Sequence, residues 1–237
     1  MTDAPGTAFV TGATEGIGRA IAFALGRAGH AVGVCARTAS TLDALLTELR
    51  QAGVRAAGLP ADVGDEAAVA AVVAHVGRTL GPIDVLVNNA GILIARPIAE
   101  LSLADWDATM STNVRSLFLV TRAVLPGMRE RRRGTIVNIA SLAGRNGFVG
   151  GTAYTTSKHA VLGFTRSLML EVRKEGIRVI AVCPGSVDTP LMAGQSMLRV
   201  DPARALRPED VAETVLHTIQ LPPRALVSEI DIRPTDP

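Results

Sequence analysis

The amino-acid sequence predicts an α/β protein built on one doubly wound parallel sheet of about seven strands. Short apolar runs recur along the 237 residues, and longer amphipathic stretches separate most of them. The runs are apolar almost throughout, which is typical of parallel strands covered by helices on both faces. This alternation implies right-handed crossovers between neighbouring parallel strands.

The predicted elements follow one another in a regular order. Strands are predicted over residues 7–10, 31–36, 54–59, 85–87, 135–139, 178–182 and 226–232. Helices are predicted over residues 16–28, 41–51, 66–80, 104–128, 154–175 and 208–220. Asp65 is a suitable N-cap for the third helix, and Pro208 predicts the start of the last. Because no linker, repeat or low-complexity segment interrupts this order, we expect a single domain over residues 1–237.

Composition limits the classes of partner. With 48% hydrophobic and 19% charged residues, the chain is typical of a globular protein. No apolar run approaches the roughly 18 residues that cross a bilayer, and the N-terminus lacks a basic, apolar signal, so we expect a cytoplasmic protein with no membrane partner. A net charge of +2 and 3% aromatic residues argue against a nucleic-acid partner. Cys35 and Cys183 are expected to be free buried thiols, and no metal site is predicted from the histidine spacing.

A glycine-rich turn joins the first predicted strand to the first helix. Gly12 permits the tight turn, Gly16 lets the backbone approach a pyrophosphate, and Gly18 allows close packing of helix on strand. The helix N-terminus offers N–H groups and the positive end of its dipole to the phosphates. The turn therefore predicts a dinucleotide site, which we expect to include Thr14, Glu15 and Ile17.

The end of the second strand indicates which dinucleotide binds. An acidic residue there would bond the adenosine ribose hydroxyls and repel a 2′-phosphate. Here Ala36 is followed by Arg37, whose guanidinium can make charge-assisted bonds to a phosphate. Arg19 could assist, whereas Glu15 adds an opposing negative charge. We therefore expect NADP(H) rather than NAD(H).

A tyrosine and a lysine lie one helical turn apart. Tyr154 is the one tyrosine of the chain, and Lys158 is one of two lysines, the other being Lys174, among 24 basic residues. Their spacing places both side chains on one helix face. An ammonium group can lower the pKa of a phenol, which then exchanges protons near neutrality. From the pair alone, both acid–base catalysis and a chance surface pair stay open.

Taken in order, the motifs resemble those of the classical short-chain dehydrogenases/reductases from residue 11 to about 185. The matching residues are the glycine turn, Asp62-Val63, Asn88-Asn89-Ala90-Gly91, Asn113, Ser141, Tyr154 with Lys158, and Pro184-Gly185. The resemblance implies a Rossmann-type fold and hydride transfer between a nicotinamide and a carbonyl or secondary alcohol.

The resemblance also implies roles for individual residues. Ser141 would bond the substrate carbonyl and Tyr154 would exchange its proton. Lys158 would lower the phenol's pKa and bond the nicotinamide ribose, and Asn113 would hold a water that links Lys158 to solvent. Cofactor contacts are implied for Tyr154, Lys158, Asp62, Val63, Asn88, Ala90, Gly91, Pro184, Gly185, Val187 and Thr189. Asp62 could instead be a loop or capping residue.

The substrate side is expected to be apolar. Residues of about 186–207 would form a lid. An apolar ketone or 3-oxoacyl compound would suit the predicted pocket residues Leu191, Met192, Met197, Leu198, Leu93, Ile94 and Phe148.

Two surface features have alternative readings. The arginines at 129 and 131–133 are either a docking patch for an acidic carrier protein or a solvated helix end. The family resemblance implies a homotetramer or dimer. An interface or a core stripe is predicted for Ala160, Val161, Phe164, Leu168 and Met169.

Other functions remain open for the same site. A protein that senses NADP without turnover would need the same cofactor residues. An epimerase or dehydratase would use the catalytic residues without net consumption of cofactor.

Overall fold

The structure, a computed structural model, describes residues 5–194 and 201–236. Its centre is a seven-stranded sheet in the order β3-β2-β1-β4-β5-β6-β7, in which every neighbouring pair is parallel. This confirms the predicted fold class. The strands are β1 (Thr7–Thr11), β2 (Ala31–Ala36), β3 (Ala56–Pro60), β4 (Ile83–Asn88), β5 (Gly134–Ile139), β6 (Ile177–Pro184) and β7 (Glu229–Ile232).

Helices cover both faces of this sheet. They are α1 (Gly16–Arg27), α2 (Ala39–Gln51), α3 (Glu66–Leu80), α4 (Leu103–Met110), α5 (Ser116–Arg131), α6 (Thr152–Val172), α7 (Pro190–Ala193) and α8 (Pro208–Gln220). Because successive strand residues point to opposite faces, Ala8 and Val10 pack with α1, α2 and α8, whereas Phe9 packs with α3, α5 and α6. The sheet thus lies between two apolar layers.

The predicted helix starts are confirmed by their hydrogen bonds. The Asp65 carboxylate accepts the Ala68 N–H at 2.7 Å, which caps α3. Pro208 is the first residue of α8, and the Asp210 carboxylate accepts the Arg207 N–H at 2.8 Å. Polar oxygens near a helix N-terminus satisfy backbone donors that have no partner within the helix.

The predicted single helix over 104–128 is wrong in one respect. A π-helical turn, Ser111–Arg115, separates α4 from α5, with the Ser116 N–H bonded to the Ser111 carbonyl. Such a turn inserts one residue into the helix and often marks a functional site. The prediction failed here because the periodicity of apolar residues, averaged over several helical turns, does not reveal a single inserted residue. The turn holds Asn113 in the interior, where only 3% of the residue is exposed.

The order of the strands fixes where a ligand can bind. The chain runs from β1 outward to β3, then returns past β1 to form β4 on its other side. The loops that follow β1 and β4 therefore diverge and leave a crevice at the carboxyl edge of the sheet, where open α/β sheets bind ligands.

The apolar stripe predicted over residues 160–169 lies on α6 and packs into the core. Val161 and Leu168 of α6 are buried, and Phe164 and Met169 pack against core residues. In the part of the chain that the structure describes, no helix has the length and apolar character that crossing a bilayer requires.

Candidate active site

Two adjoining cavities occupy the carboxyl edge of the sheet. One, of about 200 Å³, is lined by the glycine turn and by residues that follow β2, β3 and β4. The other, of about 420 Å³, is lined by Ser141, Tyr154 and Lys158. They share the lining residues Ile17, Asn89, Gly91, Thr189 and Leu191. An elongated ligand could therefore extend from Arg37 in the first cavity to Tyr154 in the second; below, they are called the cofactor cavity and the substrate cavity.

The glycine turn has the geometry that a phosphate cradle needs. Gly12 has φ +63°, and a Cβ there would lie 2.8 Å from Ala90 Cα. Gly16 has φ +53°, a conformation that favours glycine. At Gly18 a Cβ would lie 2.3 Å from the Gly12 carbonyl oxygen, so the close packing predicted for this residue is confirmed. At Gly12 and Gly16 the turn therefore presents only backbone to the cavity.

Most residues predicted to bind the cofactor line these cavities. In the cofactor cavity these are Gly12, Thr14, Glu15, Gly16, Ile17, Arg37, Asp62, Val63, Ala90, Gly91 and Thr189. In the substrate cavity they include Pro184, Gly185 and Val187. Asp62 combines the two roles predicted for it: it lines the cavity, and its carboxylate accepts the Gly64 N–H at 2.8 Å within the loop after β3.

Arg19 does not join this group. Its guanidinium pairs with Glu48 and lies 4.8 Å from the centre of the Phe23 ring, and it lines neither cavity. Arg37, in contrast, is exposed and lines the cofactor cavity. Among the arginines suggested for phosphate binding, the structure therefore retains Arg37.

The expected place of Asn88 in the cleft is taken by Asn89. The Asn88 side chain is buried beside the sheet, where its amide donates to Thr121 Oγ1 at 3.1 Å and to Asn138 Oδ1 at 2.9 Å. Asn89 lines both cavities and donates to the carbonyl oxygens of Thr11 and Gly12 at 3.0 and 2.9 Å. Because β4 ends at Asn88, the next residue leaves the strand toward the glycine turn and braces it.

A buried polar connection beneath the site was not predicted from the sequence. Asn138 of β5 donates to Thr165 Oγ1 of α6 at 2.8 Å. Neither Asn138 nor Thr165 is exposed by more than 2%. The bond links the strand that precedes Ser141 to the helix that carries Tyr154. A polar residue inside an otherwise apolar strand was the signal available in the sequence.

Ser141, Tyr154 and Lys158 meet in the substrate cavity. Ser141 follows β5, and its hydroxyl accepts the Ala143 N–H at 3.1 Å. Lys158 Nζ donates to the Ile139 carbonyl at 2.9 Å and lies 5.6 Å from the centre of the Tyr154 ring. These contacts bring the predicted catalytic side chains together.

The predicted lowering of the phenol's pKa is wrong for this structure. Burial raises the pKa of Tyr154 from 10.0 to about 12, although its hydrogen bond with Ser141 acts in the opposite direction. Burial also lowers the pKa of Lys158 from 10.5 to about 8, because the interior disfavours its ammonium form. Tyr154 is therefore protonated at neutral pH.

Asn113 braces the site through its side chain. Its amide oxygen accepts the Ile92 N–H at 2.8 Å, and its amide nitrogen donates to the Ile92 carbonyl and to Ser157 Oγ, both at 2.9 Å. Ser157 in turn donates to the Tyr154 carbonyl at 2.7 Å. Asn113 thus ties the loop after β4 to the first turns of α6. The water predicted at Asn113 stays a prediction.

The substrate cavity has the expected apolar walls. Leu93, Phe148, Leu191 and Met192 line it, whereas Ile94 does not. Met197 and Leu198 lie outside the described residues. Arg233, which follows β7 directly, also lines this cavity and was not predicted from the sequence. The rule that ligands bind at the carboxyl ends of strands could have found it.

The arginine cluster lies at the opposite, amino edge of the sheet. Arg131 donates to the carbonyl of Ile83, the first residue of β4, at 2.8 Å. Arg133 pairs with Asp84 at 3.0 Å, and Arg129 pairs with Glu175 at 2.9 Å. These contacts favour a helix end over a docking patch beside the active site.

Both cysteines are free and buried, as predicted. Within residues 5–194 and 201–236, no group of three or more His, Cys, Asp or Glu residues is placed to hold a metal ion.

Comparisons with known proteins agree with this geometry. The family model described as short chain dehydrogenase matches residues 6–197. The chain is 41% identical over 184 residues to the 3-oxoacyl-[acyl-carrier-protein] reductase FabG of Pseudomonas aeruginosa, covering 78% of this chain and 74% of that protein.

Solved structures give the same result. A single-residue variant of actinorhodin polyketide ketoreductase, solved with NADPH, is 40% identical with a TM-score of 0.91, covering 97% of this chain and 96% of that chain. A metagenomic short-chain oxidoreductase in complex with NADP is 35% identical with a TM-score of 0.85, covering 98% of both chains. The chain therefore belongs to the short-chain dehydrogenase family of oxidoreductases.

Proposed function

We propose that this protein is an NADP(H)-dependent reductase of carbonyl compounds, acting on an apolar ketone or a 3-oxoacyl substrate. One observation carries the proposal: Ser141, Tyr154 and Lys158 line a cavity that adjoins the glycine-turn cavity. The relatives named above as a 3-oxoacyl reductase and a ketoreductase support the substrate class.

The cofactor cavity suits a dinucleotide phosphate. Gly12 and Gly16 expose backbone where a side chain would collide or be strained, and α1 begins at Gly16 with its free N–H groups. Arg37 would pair with the 2′-phosphate, which distinguishes NADP from NAD. Neighbours solved with NADPH and NADP support this choice. When bound, the cofactor supplies or accepts the hydride.

The protein's own part is proton transfer. Tyr154 is protonated at neutral pH, since its pKa lies well above 7, and it would donate this proton to the substrate oxygen. Ser141 would hydrogen-bond the same oxygen as negative charge develops on it. In the reverse direction Tyr154 would accept the proton as tyrosinate.

Lys158 and Asn113 support this transfer in the proposal. Lys158, held by the Ile139 carbonyl, would bond the nicotinamide ribose. Asn113 holds the backbone around Tyr154 through Ser157 and would retain the relay water implied by the family resemblance.

The proposal also includes a single domain and a lid over the substrate cavity. A single domain over 1–237 is supported by the one sheet that carries both cavities. A lid over 186–207 is supported by its base, where Asp188 N–H donates to the Leu206 carbonyl at 2.8 Å and Leu206 N–H donates to the Ser186 carbonyl at 3.0 Å. Leu191 and Met192, which line the substrate cavity, belong to the segment that starts at this base.

Assembly and location complete the proposal. A homo-oligomer is supported by two large apolar side chains on the outer surfaces of α5 and α6, Phe118 at 46% and Leu170 at 57% exposed. A cytoplasmic location fits the two unpaired thiols, which persist in reducing compartments.

The proposal is tested by mixing the purified protein and NADPH with a panel of ketones and 3-oxoacyl thioesters while cofactor absorbance is followed. A reductase consumes NADPH in proportion to the alcohol formed. Binding of NADPH without its oxidation by any carbonyl would identify a sensor and overturn the proposal. Product formation without net NADPH consumption would identify an epimerase or dehydratase.

A further inference from the structure

An arginine that directly follows the last strand lines the substrate cavity. β7 pairs with β6 so that Ile232 lies opposite Pro184, and the Gly185 N–H donates to the Ile232 carbonyl at 2.8 Å. Arg233, the next residue, therefore lies level with Gly185 at the carboxyl edge of the sheet. Both residues line the cavity that contains Tyr154.

The charged groups around this cavity have one sign. Lys158 and Arg233 line it, and no Asp or Glu of the described residues does. The two cations have different positions, since Lys158 is 5% exposed whereas the Arg233 side chain is 56% exposed. The cavity thus has a buried cation at the catalytic end and a solvated one at its mouth.

Arg233 is the loosest member of a charge cluster behind the cavity. Arg145 donates to Asp231 at 2.7 Å and pairs with Glu229 at 2.8 Å. Arg166 pairs with Glu229 at 2.6 Å, whereas Arg233 reaches Asp231 only at 3.3 Å. Three arginines share two carboxylates, which leaves one positive charge in excess. The bond lengths place that excess at Arg233, beside the cavity.

We propose that Arg233 binds an anionic group of the substrate, separated from the reacting carbonyl by the apolar part of the cavity. This inference rests on the proposed reductase function and deepens it. A guanidinium presents several donors in a plane that matches carboxylate and phosphate oxygens. Leu142 and Phe148 line the same cavity and offer apolar contact to the carbon chain between the two groups. The anionic group is a carboxylate of the substrate itself or a phosphate of its thioester carrier.

Two matched substrate pairs distinguish these sources. Levulinate and its methyl ester differ only in the carboxylate. The acetoacetyl thioesters of 4′-phosphopantetheine and of pantetheine differ only in the phosphate. We expect kcat/KM to be at least about tenfold higher for the anionic member of one pair, with the preference falling as salt is added.

The variant Arg233→Gln should abolish that preference through KM, with little change in kcat or in the KM of NADPH. Arg233→Lys should restore part of it. Arg166→Gln is the matched control, because Arg166 belongs to the same cluster, is also 56% exposed and does not line the cavity. Equal loss for charged and neutral substrates, or the same effect from Arg166→Gln, would overturn the proposal.

The wild-type protein separates this inference from the function on which it rests. If neither these four compounds nor any other carbonyl of the panel is reduced, the reductase proposal fails. If the neutral compounds are reduced as well as their charged partners, the reductase proposal stands and the role of Arg233 is rejected.

Discussion

The two edges of one sheet hold their charges in opposite ways. At the amino edge, Arg131 and Arg133 share Asp84, whose side chain is only 14% exposed. At the carboxyl edge, Lys158 is buried with a backbone carbonyl as its partner, and no carboxylate lines the cavity around it in the described part of the chain. The sequence shows a dense arginine cluster at the first edge and scattered cations at the second.

The contrast indicates that the ligand site of this protein is marked by positive charge in excess of its carboxylate partners rather than by a high density of arginines. Paired arginines at the amino edge stabilise the ends of α5 and β4. At the carboxyl edge no carboxylate of the described residues lines the substrate cavity, so Lys158 and the weakly paired Arg233 remain available to a ligand.

Replacement of the phenol should have the largest effect. Tyr154→Phe keeps the ring that packs 6.3 Å from Phe148 but removes the hydroxyl. We expect kcat to fall about a thousandfold, because general acid catalysis contributes on that scale. The dissociation constant of NADPH, measured by fluorescence titration, should change by less than about twofold, since a hydroxyl is a small part of the binding surface. Retained turnover would remove Tyr154 from the proton-transfer step.

Charge reversal at the cofactor cavity should have the next largest effect. Arg37→Asp replaces a phosphate partner with a repulsive carboxylate, so we expect NADPH binding to weaken about a hundredfold. NADH, which lacks the 2′-phosphate, should lose much less in the same titration. The control is Arg19→Asp, because Arg19 lines neither cavity. Equal losses for both cofactors would contradict the role of Arg37.

The buried lysine should make stability depend on pH. The folded protein releases the Lys158 proton near pH 8, whereas the unfolded chain holds it to about pH 10.5. Between these values the unfolded state binds more protons, so the free energy of unfolding rises with pH. The variant Lys158→Met has no titrating group at this position, so its unfolding free energy lacks this increase with pH.

We expect the difference in unfolding free energy between wild type and Lys158→Met to shift by about 2 kcal/mol from pH 7 to pH 10, measured by urea denaturation. The control is Lys174→Met, because Lys174 is exposed at the amino edge. The measurement stops at pH 10, since the raised pKa of Tyr154 acts in the opposite direction above it. Parallel pH curves for wild type and Lys158→Met would show that Lys158 is not desolvated.

Much of the fold and of the candidate site was predictable from the sequence. Apolar runs located every strand, and the glycine turn with Tyr154 and Lys158 located the site, because these signals depend on residue type and local spacing. The raised pKa of Tyr154 was not predictable. It depends on burial under chain segments that are distant in sequence.

The errors of the sequence-based prediction at Asn88, Asn89 and Arg233 have a shared cause. Asn88 and Asn89 differ in role because β4 ends one residue beyond its predicted end, which changes the residue that faces the cleft. Arg233 reaches the substrate cavity because β7 pairs with β6 at a particular register. Strand ends and pairing registers are set by contacts between strands, and local sequence patterns do not specify them.

Neutralising the amino edge should have the smallest effect, confined to stability. Asp84→Asn keeps the shape of the side chain but removes the charge that pairs with Arg131 and Arg133. We expect a loss of about 1 kcal/mol in urea denaturation, because these ion pairs are partly solvated. Both kcat and KM should stay within about twofold of wild type, since Asp84 lies at the edge opposite the cavities. Asp43→Asn, the same substitution at an exposed position of α2, controls for the amide itself. A large loss of kcat with unchanged stability would show that the two edges are coupled and that the contrast between them does not hold.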